Sequence, residues 1–226
     1  MFIVMIPKKF YRPLKCIWNK FRFAFVFLPV FSFAQKTVFT PGFIGGINTS
    51  QVSGDDLFGF NQFGIYGGVS LNANLNEKSS FEFQIAYSQK GSRRPPDKNG
   101  TPVFYKLRLN YIDVPLFYIH HFKNGKIKNF NLECGIVNSY LINYSEENLY
   151  GNVTPVRPFK KYECSLLFGI SYQLSQTIFF GSRLYNSILP VRAHMSGATY
   201  YWNRGQYNTL IQFVFQYRFK KKENTL

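Results

Sequence analysis

From Tyr207 to Phe219 the chain alternates without a break. Tyr207, Thr209, Ile211, Phe213, Phe215, Tyr217 and Phe219 share one side, and Asn208, Leu210, Gln212, Val214, Gln216 and Arg218 the other. A period of two is that of a β-strand, whose successive side chains point to opposite faces. The faces here want different surroundings, one greasy and aromatic, the other largely polar. About ten residues let a tilted strand cross a bilayer, and in lipid every backbone polar group must be paired, which strands achieve only by closing into a barrel. The stretch therefore predicts a transmembrane β-barrel in which this last strand pairs with the first.

The pattern recurs upstream. Gly42 to Ser50 is the first candidate strand, its glycines allowing close backbone approach at a barrel wall. Gln62 to Leu75 and Ser80 to Lys90 follow, joined by a turn at Asn76, Glu77 and Lys78; Phe81, Phe83, Ile85 and Tyr87 face outward, and Glu82, Gln84, Ala86 and Ser88 inward. A fourth strand starts near Pro102, with Val103, Tyr105, Leu107, Leu109 and Tyr111 outward and Lys106, Arg108 and Asn110 inward. That parity puts Asp113 in lipid, so a bulge between Ile112 and Pro115 is expected to turn it inside. Phe130 to Ile142 carries Glu133 inward, Lys160 to Leu174 carries Glu163, Ser165, Ser171 and Gln173, and Thr177 to Ser187 carries Arg183. Residues 51–61, 91–101, 143–158 and 188–206 read as long loops, alternating with short turns at 76–78, 123–129 and 175–176.

The expectation is an all-β, eight-stranded antiparallel up-and-down barrel, with long loops extracellular and both mature termini periplasmic. A soluble lipocalin-like barrel shares the period but reverses the faces. The polar face carries Glu82, Lys106, Arg108, Glu133, Glu163, Arg183 and Arg218, too many charges for a dry ligand cavity, and this favours the membrane reading. Aromatic residues make up 19% of the chain, and a mean hydropathy of −0.16 is no objection, because a barrel dilutes its apolar face with a polar one.

Residues 1–34 read as a secretory signal: a basic region, the apolar run Phe23 to Phe33, and a small-x-small site at Ser32 to Ala34 before Gln35. The barrel then spans 35–219, and 220–226 form a basic periplasmic tail. The formal charge is +16; removing six of the 27 basic residues with the signal leaves 21 against 11 acidic ones, a net +10. The aromatics are committed to strand faces opposite the cations, so a nucleic-acid surface is not expected.

The order of these features resembles the outer membrane β-barrel proteins of Bacteroidetes known as PorT-like or porin-family. The residues that carry it are the signal ending at Ala34, GFIGGIN from Gly42, the 62–75 and 80–90 strand pair, the terminal strand, and LNYIDVPLF at Leu109 to Phe117. This last segment is similar to the family's Tyr-Leu-Glu-Ile-Pro-Leu signature with Asp113 in place of the glutamate. The resemblance covers essentially the whole mature chain and implies outer membrane residence, insertion by the barrel-assembly machinery and contact with lipid and lipopolysaccharide. One named branch of the family assists a protein secretion system. Here Phe219, the terminal aromatic, is followed by KKKENTL.

An eight-stranded barrel is just wide enough for side chains to fill. Glu82, Asp113, Glu133 and Glu163 are therefore expected to meet Lys106, Arg108, Arg183 and Arg218 in a hydrogen-bonded network, since buried charges must be paired. A narrow solute or ion pore is the competing reading. No cofactor is implied, and no spacing of His120, His121, His194, Cys134 and Cys164 suggests a metal. His194 with Ser196 would suit a lipid-modifying enzyme, but no carboxylate partner is recognisable, so no catalytic residue is assigned. Cys134 and Cys164 share the outward parity, and two lipid-facing thiols are expected over a cross-strand disulfide. In the loops, Asp55, Asp56 and Phe58, and Tyr200, Tyr201 and Trp202, are candidate partner contacts; loop packing or lipopolysaccharide contact competes with that role.

Overall fold

The computed structural model describes residues 38–55, 57, 59–94, 105–123, 128–153, 157–193 and 205–219. The expected signal and the basic tail lie outside them. All regular structure in the described residues is β: β1 Val38–Ser53, β2 Gln62–Asn76, β3 Ser79–Arg94, β4 Tyr105–His121, β5 Phe130–Asn148, β6 Gly151–Asn152, β7 Tyr162–Gln173, β8 Ile178–Ser187 and β9 Tyr207–Arg218. Each long strand is antiparallel to both neighbours. β9 lies against β1 from Gly42↔Arg218 to Ser53↔Tyr207, and β4 against β5 from Tyr105↔Asn148 to His121↔Asn131, so the sheet closes on itself. β6 is a two-residue return onto Glu147 and Asn148, which leaves eight staves. The result is an eight-stranded antiparallel up-and-down barrel.

Three short turns and the outer ends of β1 and β9 share one end of the barrel, the turn end; the longer connections share the other, the loop end. Several staves outrun their expected lengths. β5 continues to Asn148 because Asn143, Ser145, Glu147 and Asn148, which look like loop in a sequence, pair with Tyr105 to Asn110 of β4 beyond the apolar band. There a strand is wet on its outer face and loses its greasy alternation.

Burial alternates as two-faced strands require. Phe63, Ile65, Val69 and Leu71 of β2 are exposed, whereas Gln62, Tyr66, Ser70 and Asn72 are buried. Outward side chains form a broad apolar band. On β3 to β5 that band ends toward the loops at a row of Tyr87, Ile112 and Tyr140, where the Tyr87 hydroxyl donates to Asn110 Oδ1 at 2.7 Å. Toward the turns aromatic pairs line it, including Phe81 with Tyr118 and Phe130 with Tyr172. An apolar body with a polar tip suits both margins of a bilayer. The wall also needs glycine in places: a Cβ on Gly46 would collide with the carbonyl of Phe213 across β1 and β9. Gly91 combines φ 152° with a similar collision against Leu107.

β4 corrects the expected parity. Leu107, Leu109, Tyr111, Asp113, Pro115, Phe117 and Ile119 all face inward, so Lys106, Arg108 and Asn110 face outward. No bulge lies at 112–115, because the register with β3 is the same on both sides of Pro115, Phe83↔Leu116 and Ala86↔Asp113. Pro115 lacks an N–H and so cannot donate to the ladder there. The irregularity lies on β5 instead, where Asn110 faces Asn143 but Tyr111 faces Leu141, leaving Ile142 as the extra residue. The physical reason is the seal inside the loop end. Leu107, Leu109 and Tyr111 pack there with Val52, Leu141, Phe159 and Val191, so at this height greasy residues face in and charges face out.

Candidate functional site

The interior is the candidate site, and its side chains form a stack of ion pairs that can be followed along β3 from the turn end. At the lowest level Glu82 is fully buried and receives four donors: Arg218 Nη2 at 2.6 Å, Gln84 Nε2 at 2.6 Å, Gln216 Nε2 at 2.7 Å and Asn72 Nδ2 at 3.3 Å. β9 supplies two of these because its even positions face in. The Arg218 guanidinium also lies 4.2 Å from the ring centre of Phe179.

At the next level Arg183 Nε donates to Glu133 Oε2 at 2.6 Å, and its Nη1 donates to Gln84 Oε1 at 3.3 Å. Its guanidinium sits over Phe117, 4.7 Å from the ring centre. The Tyr66 hydroxyl donates to the same Gln84 oxygen at 2.8 Å, and Tyr185 reaches Gln212, which in turn donates to Asn48. Each charge has an opposite partner and each amide has work in the network, as a buried polar layer demands.

Lys90 defines the third level. Its Nζ lies 3.1 Å from Asp113 Oδ1 and 3.4 Å from Glu163 Oε1, donates to Ser139 Oγ at 3.1 Å, and sits over the Tyr111 ring. Glu163 also accepts from Ser165 and from Asn208 at 2.7 Å. Asp113 pairs with the lysine, and among the described residues neither of its oxygens receives an aligned hydrogen bond. One cation thus faces two carboxylates. Beyond this level, Arg192 Nη1 donates to Glu146 at 3.2 Å beside Phe159 in the apolar seal, and the Tyr105 hydroxyl donates to the same carboxylate at 2.8 Å.

The structure brings together Glu82 with Arg218, Glu133 with Arg183, and Asp113 with Glu163 through Lys90. Lys106 and Arg108 are not among them, since they lie on the outer wall. Lys90, Glu146 and Arg192 take part although the sequence pattern assigns them no role. Lys90 shares the parity of Glu82 and Gln84 and is legible on that ground; Glu146 and Arg192 fall in segments that look like loop. Below the stack, the turn end opens into a vestibule of about 1090 Å³, lined among others by Asn72, Asn74, Asn131, His121, Gln173 and Arg218.

His121 faces this vestibule and bonds Ser80 and Asn131, while His120 points to the other face. Cys134 and Cys164 are free thiols on the outer wall. They are out of register, with Cys134 opposite Phe168 and Cys164 opposite Asn138. Asp55 is at the β1–β2 loop, where its Oδ1 accepts from the Leu57 amide. Asp56, Phe58, His194, Ser196, Tyr200, Tyr201 and Trp202 lie outside the described residues. Among the described residues no group of three or more metal-ligating side chains converges.

A family model described as outer membrane protein beta-barrel domain matches residues 33–191. No curated protein matches the chain in sequence. Among solved structures the chain is similar to Ail, the attachment invasion locus protein of Yersinia pestis, in complex with the heparin analogue sucrose octasulfate. The identity is 11% over 82% of this chain and 100% of that one, with a TM-score of 0.44. It is also similar to Neisserial surface protein A, at 9% identity over 82% and 100% with a TM-score of 0.42. A third is OprG from Pseudomonas aeruginosa, at 10% over 82% and 96% with a TM-score of 0.35.

Proposed function

The chain belongs to the outer membrane protein beta-barrel domain family and so resides in the outer membrane, and from that premise we propose that it is a sealed, non-enzymatic scaffold rather than a channel. The observation that carries this reading is the continuous stack from Glu82 and Arg218 through Arg183 and Glu133 to Lys90, closed at the loop end by Leu107, Leu109, Tyr111, Val52, Leu141, Phe159 and Val191. A solute would have to break several buried ion pairs and then cross an apolar seal. In this reading the barrel holds its loops at a membrane surface for adhesion or for assisting secretion, as in the PorT-like proteins of Bacteroidetes that the Leu109 to Phe117 segment resembles.

The long connections face the cell exterior and both mature termini face the periplasm, because short turns and termini share one barrel end. Residues 1–34 direct export, and the barrel-assembly machinery inserts the chain among lipid and lipopolysaccharide. Two measurements test this. Proteoliposomes carrying the barrel should swell in sugars and amino acids no faster than empty ones. Crosslinking and purification from the native outer membrane should recover a stoichiometric partner. A narrow pore is the second reading, favoured by the vestibule at the turn end, and solute-selective swelling would establish it.

A further inference from the structure

The two cations displaced from the interior have company. Arg93 on β3 stands directly opposite Lys106 on β4, and Arg108 follows two residues along, opposite Gly91. All three belong to the outward parity, with Arg93 exposed and Lys106 and Arg108 half-buried. Like charges directly across a sheet are destabilising. None of the ion pairs among the described residues includes any of the three. Glu147, opposite Lys106 on its β5 side, is in none of those pairs either. Arg108 is flanked by Gly91 and Ser145, neither of which carries a charge.

The patch has a definite height. The outward row below it is Gln89, Asn110 and Asn143, and below that come Tyr87, Ile112 and Tyr140, where the apolar band begins. Arg108 lies four residues beyond Ile112, or about 10 Å toward the loop end on a strand tilted near 40°. It is also one-sided: at the loop end of β9, β1 and β2 the outward residues are Thr209, Thr49, Gln51 and Phe63, none charged. A cationic surface that continues the lipid-facing wall upward meets lipid headgroups before it meets anything else.

We propose that Arg93, Lys106 and Arg108 form a docking surface for the phosphate groups of the surrounding outer-leaflet glycolipid. The leaflet rests on the proposed orientation of the loops; the phosphate chemistry does not. Guanidinium groups match phosphate geometry, and each basic residue at a membrane surface strengthens binding of anionic lipid about fivefold.

The test uses the full-length barrel in detergent, titrated with bis-phosphorylated lipid A and followed by native mass spectrometry. The R93Q/K106Q/R108Q variant should bind lipid A about a hundredfold more weakly than the parent protein. Binding of phosphatidylcholine should be unchanged, and K160Q/K161Q, which removes exposed cations elsewhere at the loop end, should behave as the parent. Heat-modifiable electrophoretic mobility checks that each variant is folded. Equal lipid A affinity in the triple variant, or a parent protein indifferent to dephosphorylation of lipid A, overturns the proposal. Displacement by equimolar inorganic phosphate overturns the lipid assignment. Orientation is read separately by labelling Tyr150→Cys on intact cells with an impermeant maleimide, since Tyr150 is 97% exposed at the loop end. Surface labelling supports the outer leaflet. No labelling alongside a hundredfold loss overturns the leaflet and the orientation while the phosphate chemistry stands.

Discussion

β9 and β4 are two staves of one barrel that obey opposite rules. In β9 the greasy positions Phe213, Phe215 and Tyr217 face out, and Gln212, Gln216 and Arg218 face in. In the first third of β4, Leu107, Leu109 and Tyr111 face in, while Lys106 and Arg108 face out. The difference is height. Within the band the outside is lipid, so an apolar face must be the outer one; beyond it the outside is wet, and the dry place is the sealed interior. Alternation therefore identifies a strand, but only the surroundings at each height decide which face is which.

The sharpest test of the comparison removes a charge from the interior and one from a turn. Glu133→Gln strands the buried Arg183 and should lower stability in lipid vesicles by about 3–5 kcal/mol, measured by guanidinium unfolding. Glu77→Gln removes the exposed pair with Lys123 at 3.6 Å and should change stability by about 0.5 kcal/mol or less. Similar losses for the two would deny that the interior network is desolvated.

Leu109→Ala and Leu184→Ala probe the two rules with one chemistry. Leu109 is wholly buried in the loop-end seal and its truncation should cost about 2–5 kcal/mol, because it leaves a cavity. Leu184 is 56% exposed on the outer wall, so the same change should cost only the smaller transfer part. Equal costs would return Leu109 to the lipid side.

Much of the barrel is legible in the amino-acid sequence alone. The eight staves, the closing role of Tyr207 to Phe219 and the inward parity of Glu82, Glu133, Glu163 and Arg183 follow from alternation, because all lie where the two solvents contrast. Lys106 and Arg108 defeat the same reading because the greasy partners that decide their face, Val52, Phe159 and Val191, come from distant segments with no periodic signal. For the same reason Asp113 calls for a bulge in the sequence pattern, when the parity of the whole strand already brings it inside. Arg192 and Glu146 are hidden by polar neighbours that look like loop.

Exchanging side-chain character between the two environments gives the smaller effects. Phe213→Arg places a cation on the lipid face of β9 and should cost about 2–4 kcal/mol near the bilayer midplane. Arg108→Leu should alter stability by no more than about 0.5 kcal/mol, as expected of a wet surface position. A large penalty at Arg108 would place it in the network after all.

Whether the barrel is sealed is tested most directly by single-channel recording of the purified full-length protein in planar bilayers. The stacked pairs at Glu82, Arg183 and Lys90 beneath the seal around Leu107 and Leu109 predict a baseline without ohmic steps. Reproducible steps of uniform size from the folded protein would contradict it and make the interior a conduction path.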